Sequence, residues 1–172
     1  MNFENFILPH IWSLKAYSSA RDEFKGKEGV FLDANENPLG SGLEESWNRY
    51  PDPLQLDIKE RLATIKSCST NKIFLGNGSD EAIDLLIRMT CTPDSSSIII
   101  CPPTYGMYEV SASINNVPLT KVNLTPEYQL NINAILKAID TTTRMIFICS
   151  PNNPTGNLMN RQDIYKILDC IF

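Results

Sequence analysis

The chain has 172 residues, 42% of them hydrophobic and 20% charged, enough for a domain with a buried core. Fifteen basic residues against twenty acidic ones give a net charge of −5. That balance argues against a general nucleic-acid binder, which displaces counterions with a basic surface. It leaves open a small phosphorylated ligand, because backbone amides at a helix start hold phosphate without a basic patch. Five cysteines without a CxxC pair, and a single histidine, predict reduced buried thiols and no metal site. The N-terminal residues have no basic start and no long apolar centre, so a signal peptide is not expected. The longest apolar run, Ile98–Cys101, is too short to span a membrane, and a cytoplasmic location is the default expectation.

Residues 1–29 read as an irregular arm, and residues 30–172 as the folded domain. Val30–Leu32 predicts a short strand. Residues 33–53 form a long loop rich in Asn, Gly and Pro, a length that in compact domains is often functional. Leu54, Ile58, Leu62 and Ile65 then recur at helical spacing. Lys72–Leu75 predicts a strand ending at Gly76, and Ser79 or Asp80 a helix cap ahead of Ala82, Ile83, Leu86 and Ile87. Ser97–Cys101 predicts a buried strand, Tyr105–Ile114 a helix and Leu119–Leu124 a strand. Asn131 or Asn133 starts the next helix, Met145–Cys149 is a further buried strand, and Asn160 caps a last helix through Ile171. Strands alternating with helices imply an α/β layer structure with a largely parallel sheet. Ligands of such sheets sit at the carboxyl ends of the strands.

Three loops fall at those ends. Gly76-Asn-Gly-Ser-Asp-Glu81 runs into a helix start, where free amides and the helix dipole favour an anion. It reads either as a phosphate cradle or as a glycine turn before an ordinary helix, and no Gly-Lys-Ser/Thr follows to make it a nucleotide P-loop. In Pro102-Pro-Thr-Tyr-Gly-Met-Tyr108, the Tyr105 ring either stacks on a flat ligand or packs on the core. In Ser150-Pro-Asn-Asn-Pro-Thr-Gly156, two prolines fix the backbone and Gly156 frees it, so that Asn153 either presents its amide to a ligand or completes a turn.

These three loops, with DANENPLG (residues 33–40) and NRYPDP (residues 48–53) ahead of them, resemble in order the fold-type-I pyridoxal-phosphate (PLP) aminotransferases. The five-part set is most similar to the histidinol-phosphate aminotransferase branch, and the resemblance covers about residues 30–170. It implies the N-terminal portion of a three-layer α/β/α large domain of the aspartate-aminotransferase-like fold. It implies a histidinol-phosphate transaminase of histidine biosynthesis, exchanging an amino group between glutamate and imidazole-acetol phosphate. PLP is the implied cofactor and a homodimer the implied assembly. Carried over residue by residue, Gly78, Ser79 and Asp80 match the cofactor-phosphate turn and Tyr105 the ring-stacking aromatic. Asn153 matches the amide on the ring hydroxyl. Tyr50 matches a tyrosine that reaches the neighbouring subunit's cofactor phosphate. Asn35 and Glu36 match a substrate-facing loop, and Tyr17 a substrate-phosphate contact.

The family's cofactor-anchoring lysine, its pyridine-nitrogen carboxylate and its substrate-gripping arginine all follow the SPNNPTG segment. None of the nine lysines here lies in a matching context. A truncated chain, inactive by itself, is therefore the expectation. The other readings are a catalytically dead remnant that binds or dimerises, or a related PLP enzyme such as a threonine-phosphate decarboxylase or an aromatic aminotransferase.

Overall fold

The structure is a computed structural model that describes residues 3–18, 29–43 and 47–171. The chain divides into two compact units, one of Met1–Leu14 with Gly76–Phe172 and one of Lys15–Leu75.

The larger unit is built on a parallel sheet. Among the described residues it holds β1 (Ser97–Ile100), β2 (Leu119–Lys121) and β3 (Thr143–Phe147), in the order β2-β1-β3. Ile98 pairs with Leu119 on one side of β1, and Ser97 with Thr143 on the other. The all-isoleucine centre of β1 follows from its place. It is flanked on both edges and covered on both faces, and β-branched side chains fill a pleated surface well.

Alternation along β1 sends successive isoleucines to opposite layers. Ile98 and Ile100 pack with Ile83 and Ile87 of α3 (Gly78–Thr90), with Ala112 of α4 (Met107–Ile114) and with Val117. Ile99 and Cys101 pack on the other face with Ile135 of α5 (Ile132–Ala138) and Ile167 of α6 (Arg161–Ile171). The result is the expected α/β/α sandwich. Ile87, Ile98, Ile99 and Ile135 are fully buried, each stabilising by about 1.5–3 kcal/mol relative to exposure. The two later helices start where the sequence predicts. Asn131 Oδ1 accepts from the Ala134 N–H at 3.2 Å, and Asn160 Oδ1 from the Gln162 N–H at 2.9 Å.

The start of α3 differs from expectation. Its N-cap is Asn77, with Gly78 already in the first turn at φ +80°, a left-handed conformation that suits glycine. Glu81 reaches back to accept the Asn77 N–H at 2.5 Å, doing the work expected of Ser79 or Asp80.

The N-terminal residues of this unit include α1 (Pro9–Trp12). Arg144, at the start of β3, donates to the carbonyls of Asn5, Phe6 and Thr90, and the Leu8 N–H donates to Met89 O at 2.8 Å.

The smaller unit carries α2 (Leu56–Lys66) and a 3-10 turn at Thr70–Lys72. Asp52 sets up α2, accepting from the N–H groups of Leu54 and Leu56 at 2.9 Å each. The strands expected at Val30–Leu32 and Lys72–Leu75 are not formed. Val30, Leu32 and Phe74 are exposed and meet no pairing strand, and β-propensity without a partner does not make a strand. Among the described residues no helix is long and apolar enough to cross a membrane.

Candidate functional site

β1 and β3 lie side by side and parallel, so the loops leaving their carboxyl ends meet. The contact between them is made by Asn152, 3% exposed. Its Nδ2 donates to Pro103 O at 2.9 Å and to Thr155 Oγ1 at 2.7 Å, and its Oδ1 accepts from the Thr104 hydroxyl at 3.1 Å. Its backbone closes the turn, donating to Asn157 O at 2.9 Å and accepting from the Gly156 N–H at 2.7 Å. The Thr155 hydroxyl also bonds Asn157 Oδ1. With Asn152 spent inside, the next residue, Asn153, stands exposed.

Tyr105 connects the same region to α3. Its hydroxyl donates to Asp80 Oδ1 at 2.9 Å. Its ring meets Tyr108 edge-on, with centroids 5.7 Å apart and planes at 87°. Tyr108 in turn stacks on Phe147 of β3 at 4.5 Å and 10°. Three aromatic rings thus run from the half-buried Tyr105 to the sheet. The hydrogen bond to Asp80 raises the Tyr105 phenol above its ordinary pKa, helped by partial burial and the aspartate charge, with Ser79 acting the other way. Tyr108 is pushed up to about 12 by burial first and by its neighbour Cys149 second.

The first turn of α3 supplies the amides of Ser79 and Asp80, which a helix leaves without intrahelical acceptors, and the exposed Ser79 hydroxyl. At Gly78 no atom lies within 4 Å of where a Cβ would project, so the turn opens onto free space. Its two carboxylates already have protein donors, Asp80 the Tyr105 phenol and Glu81 the Asn77 N–H. Tyr105 and Pro154 also line a cavity of about 320 Å³ at the ends of β1 and β2, with Ile100, Lys121 and Asn123. Lys121, on its wall, is paired with Glu109 at 2.7 Å.

The donor set suits a flat aromatic ring carrying a phosphate and a hydroxyl. Helix amides and Ser79 fit the phosphate, the Tyr105 face fits the ring, and the uncommitted amide of Asn153 fits the hydroxyl. Gly78, Ser79, Asp80, Tyr105 and Asn153 all belong to the larger unit.

The other expected residues lie in the smaller unit. Tyr17, Asn35 and Tyr50 are exposed, and Asn35 has φ +51°. Glu36 turns inward, its side chain 2% exposed. Its carboxylate accepts from Arg49 Nη1 at 2.7 Å and from the Tyr50 N–H at 2.8 Å. Arg49 also lies 5.1 Å over the Phe31 ring, and Asn48 donates to Asn37 O at 2.9 Å. Residues 35–37 and 48–50 are therefore one knot, with Tyr50 presented on its surface.

Sequence reasoning missed Asn152 and the tie from Glu36 to Tyr50. The doubled asparagine between two prolines, followed by Thr155, is a signal that the two amides divide between an inward bond and the surface, without saying which does which. Among the described residues no cluster of His, Cys, Asp and Glu is arranged to hold a metal, and all five cysteines are free.

A parallel sheet whose β1 and β3 carboxyl-end loops meet, with Tyr105 tied to the start of α3 and Asn153 exposed, defines a class. Residues 22–171 match the family described as aminotransferase class I and II, and the chain belongs to it. It is 57% identical over 168 residues to the histidinol-phosphate aminotransferase of Cytophaga hutchinsonii, covering 98% of this chain and 48% of that protein. The chain spans about half the length of the curated relatives it matches. Among solved structures, it is similar to the histidinol-phosphate aminotransferase of Clostridium acetobutylicum (TM-score 0.58, 27% identity), over 70% of this chain and 34% of that one. It also shares the fold of the Sinorhizobium meliloti histidinol-phosphate aminotransferase in complex with pyridoxal-5'-phosphate. There the TM-score is 0.64 at 18% identity, covering 71% of this chain and 33% of that one.

Proposed function

We propose that this chain carries the cofactor-phosphate turn, the stacking face and the ring-hydroxyl amide of a PLP-dependent histidinol-phosphate transaminase. The observation that carries the reading is the bond from Tyr105 to Asp80, which sets an aromatic face beside an anion-binding helix start. The Ser79 and Asp80 amides, with the Ser79 hydroxyl, hold the cofactor phosphate, and Gly78 leaves the approach open. Tyr105 stacks on the pyridine ring. Asn153 donates its amide to the ring hydroxyl and tunes the ring's electronics. The bound cofactor supplies an electron sink, which lets an amino group pass between L-histidinol phosphate and 2-oxoglutarate.

In the same reading the protein is a cytoplasmic homodimer. Tyr50, on the surface of the Glu36 knot, reaches the partner subunit's cofactor phosphate. Asn35 faces substrate, Tyr17 contacts the substrate phosphate, and Glu36 serves the site by shaping the loop. The arm of residues 1–29 and the cofactor-binding domain of residues 30–172 are its functional divisions.

A second reading has one observation in its favour. Among the described residues that line the cavity, the lysine, Lys121, is held in an ion pair with Glu109, and a site with no free lysine in reach would bind the cofactor without turnover.

The test joins this chain to the remaining length of the Cytophaga hutchinsonii relative and assays the purified chimera with PLP, histidinol phosphate and 2-oxoglutarate. Turnover that is lost on Tyr105→Ala or Asn153→Ala is the expected result. A folded, PLP-loaded chimera that prefers another amino donor tenfold or more overturns the substrate assignment. The 172-residue chain alone is expected to bind PLP without turnover, and turnover by it would overturn the second reading.

A further inference from the structure

The resemblance implies a place for Asp80, backbone and side chain alike, in the cofactor-phosphate turn. Its side chain does something further. Tyr105 sits at the end of a loop that leaves β1 through Pro102 and Pro103, and one ring edge rests against Tyr108 at 5.7 Å. Tyr108 is immobilised by stacking on Phe147. That edge contact holds one side of the ring and leaves the hydroxyl end to be fixed by other groups. The hydroxyl end is held by the 2.9 Å bond to Asp80 Oδ1, while the body of the ring packs against the buried cluster that includes Ile83 and Ile87. Asp80 lies in the first turn of α3, two residues after Gly78, so the anchor of the ring and the phosphate-binding amides are one rigid piece.

We propose that the Asp80 carboxylate is a positioning residue that fixes the Tyr105 ring relative to the α3 amides, making the site selective for ligands whose ring and phosphate stand at one set spacing. This rests on the reading of the site as a PLP site. The bond also runs in the only direction the groups allow, since the carboxylate accepts and the phenol donates. The elevated Tyr105 phenol agrees with that direction, its largest cause being the bond to Asp80. Acidic residues at a helix start are commonly present for the dipole alone, and that alternative makes different forecasts.

The experiment measures binding of three probes (PLP, pyridoxal and inorganic phosphate) to the full chain and to Asp80→Ala, Asp80→Asn, Tyr105→Phe and the double variant Asp80→Ala/Tyr105→Phe. D80A and Y105F are each expected to weaken PLP and pyridoxal roughly three- to tenfold, the range an aromatic contact contributes beyond its buried area. The double variant should be no weaker than either single one, because both remove the same bond. D80N, whose amide oxygen still accepts, should bind PLP as the parent does. Inorganic phosphate should bind D80A at least as well as the parent, since it meets the helix amides and the Ser79 hydroxyl and loses a repelling carboxylate.

Loss of phosphate binding in D80A equal to the loss for PLP overturns the proposal, as does a double variant whose defect is the product of the singles. D80N binding PLP as weakly as D80A has the same consequence. A ligand-free readout separates this from the reading of the site. The Tyr105 phenol, isolated by subtracting the ultraviolet titration of Y105F, should titrate at lower pH in D80A than in the parent. If the parent binds no PLP, the cofactor reading fails for this chain, and the titration still decides the clamp. An unchanged titration in D80A refutes it.

Discussion

Replacing Asn152 and replacing Asn153 should have opposite consequences, although the two are neighbours of the same type. Asn152→Ala removes three side-chain hydrogen bonds, at 2.7, 2.9 and 3.1 Å, from a residue 3% exposed. At about 1 kcal/mol net for each bond the loss is about 3 kcal/mol, and the unpaired Pro103 carbonyl pushes it upward. For a chain of this size the melting temperature should fall by roughly 6–12 °C. Asn152→Asp should cost at least as much at neutral pH, because a carboxylate oxygen then faces the Pro103 carbonyl where an N–H donor was. Asn153→Ala, at an exposed site, should stay within about 0.5 kcal/mol of the parent, while its affinity for PLP drops. Urea titrations followed by far-ultraviolet circular dichroism give the stabilities, and a fluorescence titration gives the affinity. An Asn152→Ala variant within 0.5 kcal/mol of the parent would refute the assignment of the inward and outward amides. So would an Asn153→Ala variant that is the less stable of the two.

Three more outcomes follow from the geometry. Tyr108 is raised to about 12 and Cys101 to about 11, both chiefly by burial. A raised acid favours the fold in its neutral form, so this stability is complete below the ordinary values of 10 and 9 and is lost as pH climbs through about 11 and 12. Denaturation midpoints should fall between pH 9 and 12, and Tyr108→Phe should flatten the upper part of that fall. Glu36→Ala should cost about 2 kcal/mol, the scale of hydrogen bonds to a charged group. It should also speed hydrogen exchange at the Tyr50 amide at least tenfold, whereas a silent Tyr50 amide would show that the knot is held without Glu36. Thiol labelling at pH 8 should modify the exposed Cys170 first and reach the buried Cys91 and Cys101 only in denaturant. Early labelling of Cys101 would contradict its place under the sheet.

The layers of the larger unit were legible because they rest on apolar periodicity. The spacing of Ile83 and Ile87 and the run Ile98–Ile100 mark surfaces that must be covered, and both are buried as the pattern requires. β3 begins two residues ahead of its apolar run because pairing, not hydropathy, sets its end. Ser97 opposite Thr143 starts the ladder. Isolated strand candidates failed for the converse reason, since Val30–Leu32 has strand-like residues and no pairing strand among the described residues. The functional loops were visible as motifs, but the division of labour within them was not. Nothing local distinguishes Asn152 from Asn153. The difference arises when the sheet brings Thr104 and Pro103 over one of them. Glu36, expected at the substrate, is drawn inward by Arg49 and the Tyr50 N–H, thirteen and fourteen residues away. Contacts at that range are set by the fold rather than by the segment.

The bond from Thr104 to Asn152 spans 48 residues of sequence. Closing a loop of that length costs on the order of 3 kcal/mol of chain entropy before any contact across it returns a gain. The helices α4 and α5 form within the excursion and need no such closure. The two loops that frame Tyr105 and Asn153 are therefore brought together only once β3 docks on β1. Chains caught earlier would carry helices but no stacking face or outward amide in place. A ligand that engages both loops would then act as a sensor of completed folding, binding finished molecules and drawing the remainder toward them.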